Sequence, residues 1–332
     1  MPLLALLLAA LPAGAYETDP LSGRDAPFAD ATPVLDAQAD AILARAIART
    51  NERTGCRADD ATTRRILAKS IERQTDPNRL VRHRGPIRAF GFSSYSAWME
   101  TDPGVPILAY PHQADIFSDI RFGENLILRL WGSCGAVRMG DVWVGSDKFD
   151  HFWDLGWVLY DVSRDGADPE AALLYSLRDE AGRRGYHSSG SISYGDLRAN
   201  YDGYRFYAGL LGEGSIVRRG PDGCLVSTRP WDWMEYVDRD WDEFLNPSAF
   251  TPAARRGIDR HLEGKDALIC AMDAAGRAVA PARVPQEEYL IVDRLEAVDG
   301  RVRPQLRERT DAFRRAERCR TSEVREAAPS DG

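Results

Sequence analysis

Residues 145–207 decide the fold of this chain. They contain three segments with helical periodicity, which read GSDKFDHFWDLGWVLY over 145–160, DPEAALLYSLRDE over 168–180 and SYGDLRANYDGYRFY over 193–207. At 100° per residue each segment has an apolar stripe that can pack against neighbouring helices. Asp168 before Pro169 is a typical helix start, and so is Ser193 with an acid three residues later. The stretch therefore predicts three consecutive helices.

The first helix also carries a polar stripe. Asp147, His151 and Asp154 lie within about 60° of one another, away from the aromatic residues. A carboxylate one turn before an imidazole can fix the tautomer of the ring and stabilise its protonated form, as in a general acid/base pair. The alternative is that Asp147 caps the helix, with Asp150 as its capping-box partner.

The second helix places Glu180 at the edge of its apolar stripe, whereas Asp179 points away. Burial raises the pKa of a carboxyl group unless it is paired, and such groups cluster at functional sites. Glu180 could instead be a surface residue paired with Arg183 or Arg184. The following polar loop offers His187 to the same site, or is a plain linker.

The third helix has one stripe that contains Asp196, Asn200, Gly203 and Tyr207. A glycine in the middle of a helix costs about 1 kcal/mol relative to alanine, so Gly203 predicts the close approach of a helix or a ligand. Asp196 has a second interpretation as the acid of a Ser193 capping box.

These motifs carry a resemblance to a known family. Asp-Lys-x-x-His-Phe at 147–152, Glu180, and Ser-x-x-Asp-Leu-x-x-Asn-x-x-Gly at 193–203 resemble, in order and spacing, the motifs of VanZ-like proteins and of a related group of predicted periplasmic lipoproteins. The likeness covers about sixty residues, and this chain lacks the membrane helices of VanZ-like proteins. The resemblance carries over Asp147, Lys148, His151, Glu180, Asp196, Asn200 and Gly203.

Three polar motifs on successive helices predict one polar site inside a helical domain. We expect an exported hydrolase of a cell-envelope lipid, glycan or peptide. His151 would be its general acid/base, oriented by Asp147, with Glu180 or Asp196 as the second acid/base or as metal ligands. The expected substrate-binding residues are Lys148, Asn200, Tyr204, Tyr207 and His187. One histidine among carboxylates suits a hard divalent cation, but the cofactor stays open because no zinc spacing is present.

Two other classes compete with the hydrolase. The first is a non-catalytic envelope factor, in which the same polar residues form a structural hydrogen-bond network. The second is a carbohydrate-binding module that uses Trp231, Trp233 and Trp241, although aromatic residues at such spacing are more often core.

The first residues predict export. Residues 1–15, MPLLALLLAALPAGA, form an apolar stretch that ends in an Ala-x-Ala-type cleavage site. We expect a signal peptide over 1–15, an extended lead-in over 16–34 and a periplasmic or secreted protein. No later stretch approaches the ~20 apolar residues of a transmembrane helix.

Composition agrees with a folded, exported chain. The 332 residues carry a formal charge of −8 and are 44% hydrophobic, so nucleic acid is not an expected partner. The five cysteines form no C-x-x-C pair, which argues against a zinc ribbon or a thioredoxin-like site. In an oxidising compartment up to two disulfides and one leftover thiol are expected.

The rest of the chain completes a mainly α prediction, a helical domain with long ordered loops and a small β element near the C-terminus. Beyond the three central helices, the expected elements are helices that begin near Asp36 and Asp59, an ordered loop over 84–111, helices over 125–131 and 252–262, a strand over 288–298 and a helix over 301–318. We expect one domain over 35–319 with its motif core at 145–211, and a disordered tail over 320–332.

Overall fold

The structure is a computed structural model that describes residues 17–75, 94–109, 111–182, 185–290 and 318–319. The predicted signal peptide and the tail over 320–332 lie outside these residues, as do positions 84–93 of the predicted loop, most of the predicted strand and nearly all of the last predicted helix.

Helices dominate the described residues, and the mainly α fold is confirmed. The helices are α1 (Thr32–Thr54), α2 (Asp60–Thr75), α3 (Ser94–Met99), α4 (Leu126–Trp131), α5 (residues 146–162), α6 (Pro169–Glu180), α7 (Tyr194–Gly209), α8 (Pro252–His261), α9 (Asp266–Gly276) and the short α10 (Gln286–Tyr289). Helix α5 consists of Ser146–Asp150, a π-helical segment His151–Leu155, and Gly156–Val162. The three central helices are α5, α6 and α7.

The strands form small pairs. They are β1 (Glu17–Thr18) parallel to β2 (Ser133–Cys134), and the antiparallel pairs β3 (Ala136–Met139) with β4 (Val142–Gly145), β5 (Ser191–Ile192) with β8 (Ala249–Phe250), and β6 (Val217–Arg219) with β7 (Leu225–Ser227). Pair β1–β2 brings the start of the described chain beside the first turn of α5. The small β content is confirmed, but these pairs are spread along the chain.

Two sequence predictions of local structure are wrong where the structure describes them. The predicted strand over 288–298 begins in α10, because Pro285 starts a helical turn there and the buried Tyr289 ends it. The predicted loop over 84–111 contains α3, which inserts Tyr95 into the core. The lead-in is also shorter than expected, since α1 begins at Thr32.

Helices α5 and α7 cross at two glycines. A Cβ atom on Gly203 would lie 2.1 Å from the carbonyl oxygen of Phe152, and one on Gly156 would lie 2.6 Å from the Cα of Gly203. The π-helical segment leaves the Trp153 carbonyl free to accept a hydrogen bond from the Tyr207 hydroxyl at 3.0 Å. The close approach predicted from Gly203 is therefore a helix crossing, which sets α5 and α7 side by side.

An aromatic core lies beneath this crossing. Trp231, Trp233 and Trp241 are 3%, 0% and 0% exposed and pack with the rings of Phe152 and Trp153. A carbohydrate-binding role for these three tryptophans is therefore wrong, because a sugar cannot reach their faces.

Two disulfides join distant parts of the chain, Cys56 to Cys224 and Cys270 to Cys319, and Cys134 is a buried thiol. This agrees with the expected two disulfides and one leftover cysteine. Disulfides of this kind are typical of proteins in oxidising compartments. Among the described helices, none has the length and apolar character required to cross a bilayer.

Candidate functional site

Lys148 lies at the centre of a buried ionic cluster. Its ammonium group lies 2.8 Å from Asp147 Oδ2, 2.6 Å from Asp196 Oδ1 and 2.8 Å from Glu243 Oε1, and it donates to Thr18 Oγ at 3.3 Å. The lysine is 0% exposed. Burial alone would lower its pKa, but the three carboxylates outweigh that effect and raise the pKa well above its usual value. The lysine therefore stays charged.

Four separate segments deliver these groups. Lys148 and Asp147 lie in the first turn of α5, Asp196 lies in the first turn of α7, Thr18 belongs to β1, and Glu243 follows the 3₁₀ turn Arg239–Trp241. The N-termini of α5 and α7 thus both face the cluster, and helix N-termini favour negative side chains.

His151 extends the cluster along the α5–α7 interface. Its Nε2 lies 3.1 Å from Asp196 Oδ2, and its Nδ1 donates to Asn200 Oδ1 at 2.9 Å, while Asn200 Nδ2 donates to Ser176 Oγ at 3.0 Å. Burial by itself lowers the pKa of the imidazole, yet the Asp196 carboxylate outweighs burial and raises the pKa to about 10. Both ring nitrogens therefore carry protons near neutral pH.

The predicted Asp147–His151 pair is wrong, and so is the predicted capping role of Asp147. The Asp147 carboxylate accepts from Thr18 Oγ at 2.9 Å and pairs with Lys148, and the helix N-cap is Gly145 without a side-chain cap. A fully desolvated ammonium needs carboxylate partners more than a partly exposed imidazole does. Asp196 orients His151 instead.

Asp196 is the shared anion of the cluster. Burial would raise its pKa, but His151⁺ and Lys148⁺ reverse the shift and lower the pKa below its usual range. Its backbone N–H also donates to Ser193 Oγ at 3.0 Å, as in a capping box. Its carboxylate binds the two cations rather than completing that box, so both sequence interpretations of Asp196 describe part of its role.

Glu180 is buried rather than on the surface, as expected from its place on α6; Arg183 and Arg184, its alternative partners, lie outside the described residues. Its Oε1 accepts a hydrogen bond from the backbone N–H of Ser193 at 2.8 Å. In a capping box, the acid three residues after the N-cap makes this bond, and here Glu180 of α6 makes it instead. Burial, together with the negative charges of Asp196 and Glu17, raises the pKa of Glu180 well above its usual value. The fold therefore favours the protonated form of Glu180.

Glu17 and Glu243 are functional candidates that the sequence reasoning missed. Glu17 is 3% exposed, and its Oε2 has no hydrogen-bond partner within the described part of the chain. Burial and the charges of Glu243 and Asp196 raise the pKa of Glu17 to about 8. Burial likewise raises the pKa of Glu243 to about 7, although Lys148 opposes the shift. Neither glutamate belongs to the three helical motifs, so only the fold brings them together.

Other predicted site residues have structural contacts. The Tyr204 hydroxyl donates to the Gly166 carbonyl at 3.2 Å, and the Tyr207 hydroxyl is bound to a main-chain oxygen of α5. His187 is exposed and its ring contacts Tyr186. It belongs to a π-helical turn, Gly185–Ser189, where a flexible loop was expected. Backbone oxygens engage the hydroxyls of both tyrosines, and substrate binding by these two residues stays a prediction.

The three carboxylates around Lys148 have a spacing that could also hold a metal ion. Oxygen atoms of Asp147, Asp196 and Glu243 lie within 4.8 Å of one another, which suits a divalent cation. The Lys148 ammonium, however, lies 2.6–2.8 Å from all three and takes the place of the ion. The arrangement fits a lysine-centred anion cluster better than a metal site.

The cluster joins acids in different protonation states. The pKa of Asp196 is lowered, that of Glu180 is raised well above its usual value, and the pKa values of Glu243 and Glu17 lie at about 7 and about 8. Neighbouring carboxyls whose environments push their pKa values apart are the usual arrangement for acid/base chemistry. Lys148 and His151⁺ supply two cationic donors beside them.

No protein-family model, curated protein or solved structure matches this chain. The resemblance to VanZ-like proteins therefore stays a prediction.

Proposed function

We propose that the chain is an exported hydrolase that acts on a cell-envelope lipid, glycan or peptide. The observation that carries this proposal is a buried cluster in which Asp196 and Glu243 lie against the Lys148 ammonium and His151 lies against Asp196; burial there raises the pKa of Glu243 to about 7. General acid/base catalysis is most efficient when the pKa of the catalytic group lies near the working pH.

The roles differ from those expected from the sequence. His151 is paired on both nitrogens and charged, so it would stabilise developing negative charge rather than remove a proton. Lys148 would act in the same way. Glu243 would exchange the proton, with Glu17 or Glu180 as the second acid. These glutamates are only 2–3% exposed, so the substrate would have to reach them past His151, whose side chain is 16% exposed.

Glu243→Gln tests this role. Glutamine keeps the size of the side chain and an oxygen that can accept from Lys148 and from the Ser193 hydroxyl, which donates to Glu243 in the wild type. On cell-envelope extracts the wild type should release fragments detectable by mass spectrometry, and the variant should be slower by ~10²-fold or more. Glu263→Gln, an exposed glutamate after α8, is the matched control and should keep full activity.

A second candidate is a non-catalytic envelope factor, which the complete pairing of the buried Lys148 favours. It predicts that no envelope component is processed at any pH, and that Glu243→Gln changes only the free energy of unfolding. Equal activity of Glu243→Gln and the wild type would remove Glu243 from the mechanism.

Export is part of the proposal and has its own test. Protein purified from its native host should begin at or near Tyr16, as measured by intact mass. A product that retains Met1 would contradict export.

A further inference from the structure

A second site lies on the opposite face of α7. A cavity of about 520 Å³ opens beside Arg198, Asp202 and Arg205, and its other walls include Phe206, Ile216 and Tyr236. Arg198, Asp202 and Arg205 are spaced i, i+4, i+7, so they form one stripe of the helix. At 100° per residue, the residues of that stripe lie roughly 120–180° around the helix from Asp196. The volume lies within the ~300–1,000 Å³ typical of small-molecule sites.

The wall of this cavity presents hydrogen-bond donors without acceptors. Arg198 is 1% exposed, and its Nη1 makes no hydrogen bond to any residue that the structure describes, with Asp240 Oδ2 3.8 Å away. The exposed Arg205 guanidinium lies 5.7 Å from the Tyr201 ring and forms no ion pair in the described ranges. Tyr236 lines the same cavity.

The rest of the Arg198 side chain is fixed. Its Nε donates to Asp202 at 2.7 Å and its Nη2 donates to Asp238 at 3.0 Å. Trp241 Nε1 holds the same Asp202 oxygen at 2.9 Å. The guanidinium is therefore held through Nε and Nη2, while Nη1 lacks an acceptor. Such a group is preorganised to donate from Nη1 to a ligand oxygen.

The charges of the wall select the class of ligand. The lining contains four arginines, Arg198, Arg205, Arg229 and Arg283, and four acids, Asp202, Glu213, Glu235 and Glu288, so its formal charge is zero. Asp238 and Asp240, just behind Arg198, add negative charge. The wall therefore has no net positive charge to attract a phosphate or a dicarboxylate, whereas a neutral polyol can accept from the arginines and donate to the carboxylates.

We propose that this cavity binds an uncharged saccharide of about disaccharide size, with Arg198 Nη1, Arg205 and the Tyr236 hydroxyl donating to its oxygens. The site is separate from the lysine-centred cluster and does not rest on the proposed hydrolase.

Calorimetric titration of the full chain with chitobiose, cellobiose, maltose and lactose tests the proposal. At least one should bind with a Kd below ~1 mM. Arg205→Ala and Tyr236→Phe should each weaken that binding by about tenfold, which corresponds to about 1.4 kcal/mol per lost hydrogen bond. Arg256→Ala, an exposed arginine outside the lining, is the matched control and should bind as the wild type does.

Melting curves show whether each variant is folded, so a loss of binding by a folded variant counts as support. Binding of inorganic phosphate or acetate in place of the sugars, abolished by Arg205→Ala, would replace the saccharide with an anion. Absence of binding by all four sugars at about 10 mM would refute the proposal.

Discussion

Replacing Glu17 by glutamine should make the protein more stable at high pH and leave it nearly unchanged at low pH. The carboxyl of Glu17 is buried, one of its oxygens has no partner in the described residues, and acids surround it. Ionisation therefore costs far more in the folded chain than in the unfolded chain. Glutamine has nearly the same shape but cannot ionise, and its amide can donate to the neighbouring carboxylates.

The size of the effect follows from the pKa shift. The pKa of Glu17 rises from 4.5 to about 8 on folding, and each unit corresponds to ~1.4 kcal/mol. The folded state holds this proton more tightly than the unfolded state, so the free energy of unfolding falls as the pH rises from 4.5 to about 8. The total loss is ~5 kcal/mol, of which ~4 kcal/mol lies between about pH 5 and about pH 9.

Equilibrium unfolding in denaturant, with the disulfides intact, measures this loss. The free energy of unfolding of Glu17→Gln minus that of the wild type should increase by ~4 kcal/mol from about pH 5 to about pH 9. Glu52→Gln, an exposed glutamate on α1, controls for the loss of one charge. An increase below ~1 kcal/mol would show that Glu17 is hydrated or paired in the native state, and the protonation states inferred for the cluster would be refuted.

Three further predictions concern other parts of the fold. His151→Asn should destabilise the protein by ~4 kcal/mol more near pH 7 than above about pH 10.5. The reason is that folding raises the pKa of His151 from 6.5 to about 10, and the stability gained in this way is lost as the pH rises through 10. Chemical unfolding at both pH values measures the difference. Gly203→Ala should lower the free energy of unfolding by ~1–3 kcal/mol or more, because its Cβ would collide with the Phe152 carbonyl. Gly209→Ala, on the same helix, meets no atom within 4 Å and should be neutral or stabilising by up to ~1 kcal/mol in the same assay. Cys134 should resist maleimide in the native state and react after unfolding, because burial raises the pKa of its thiol well above the usual value; labelling followed by mass spectrometry decides it.

Local sequence signals predicted the helices well. The Asp168–Pro169 start and the Ser193 cap are both present, with side-chain hydrogen bonds to Ala171 N and Asp196 N. Gly203 predicted a close approach correctly, because a glycine inside a helix lowers its stability unless a neighbouring backbone leaves no space for a Cβ atom. These features depend on residues within one or two turns of each other.

The partners within the candidate site could not be predicted in the same way. Helical spacing placed Asp147 next to His151, but side chains choose the partner that best compensates desolvation, and Asp147 lies against Thr18, 129 residues away. Glu243 reaches Lys148 across 95 positions for the same reason. Such contacts depend on how α5, α7 and β1 pack together, and the helical periodicity of the sequence does not predict that packing.

The lysine-centred cluster contains more buried acids than cations. Its two cations, Lys148 and His151, are surrounded by five buried carboxyls, those of Glu17, Asp147, Glu180, Asp196 and Glu243. A purely structural network stabilises the fold most when its positive and negative charges balance. Even a balanced buried ion pair often stabilises a protein no more than apolar packing does. Acids in excess of the cations are cheaper to bury when they hold protons, and burial raises the pKa of Glu17 to about 8 and that of Glu243 to about 7. Buried carboxyls with such pKa values beside two cations have the arrangement that acid/base chemistry requires. If packing were the only role of these positions, apolar residues would fill them at a lower cost in stability.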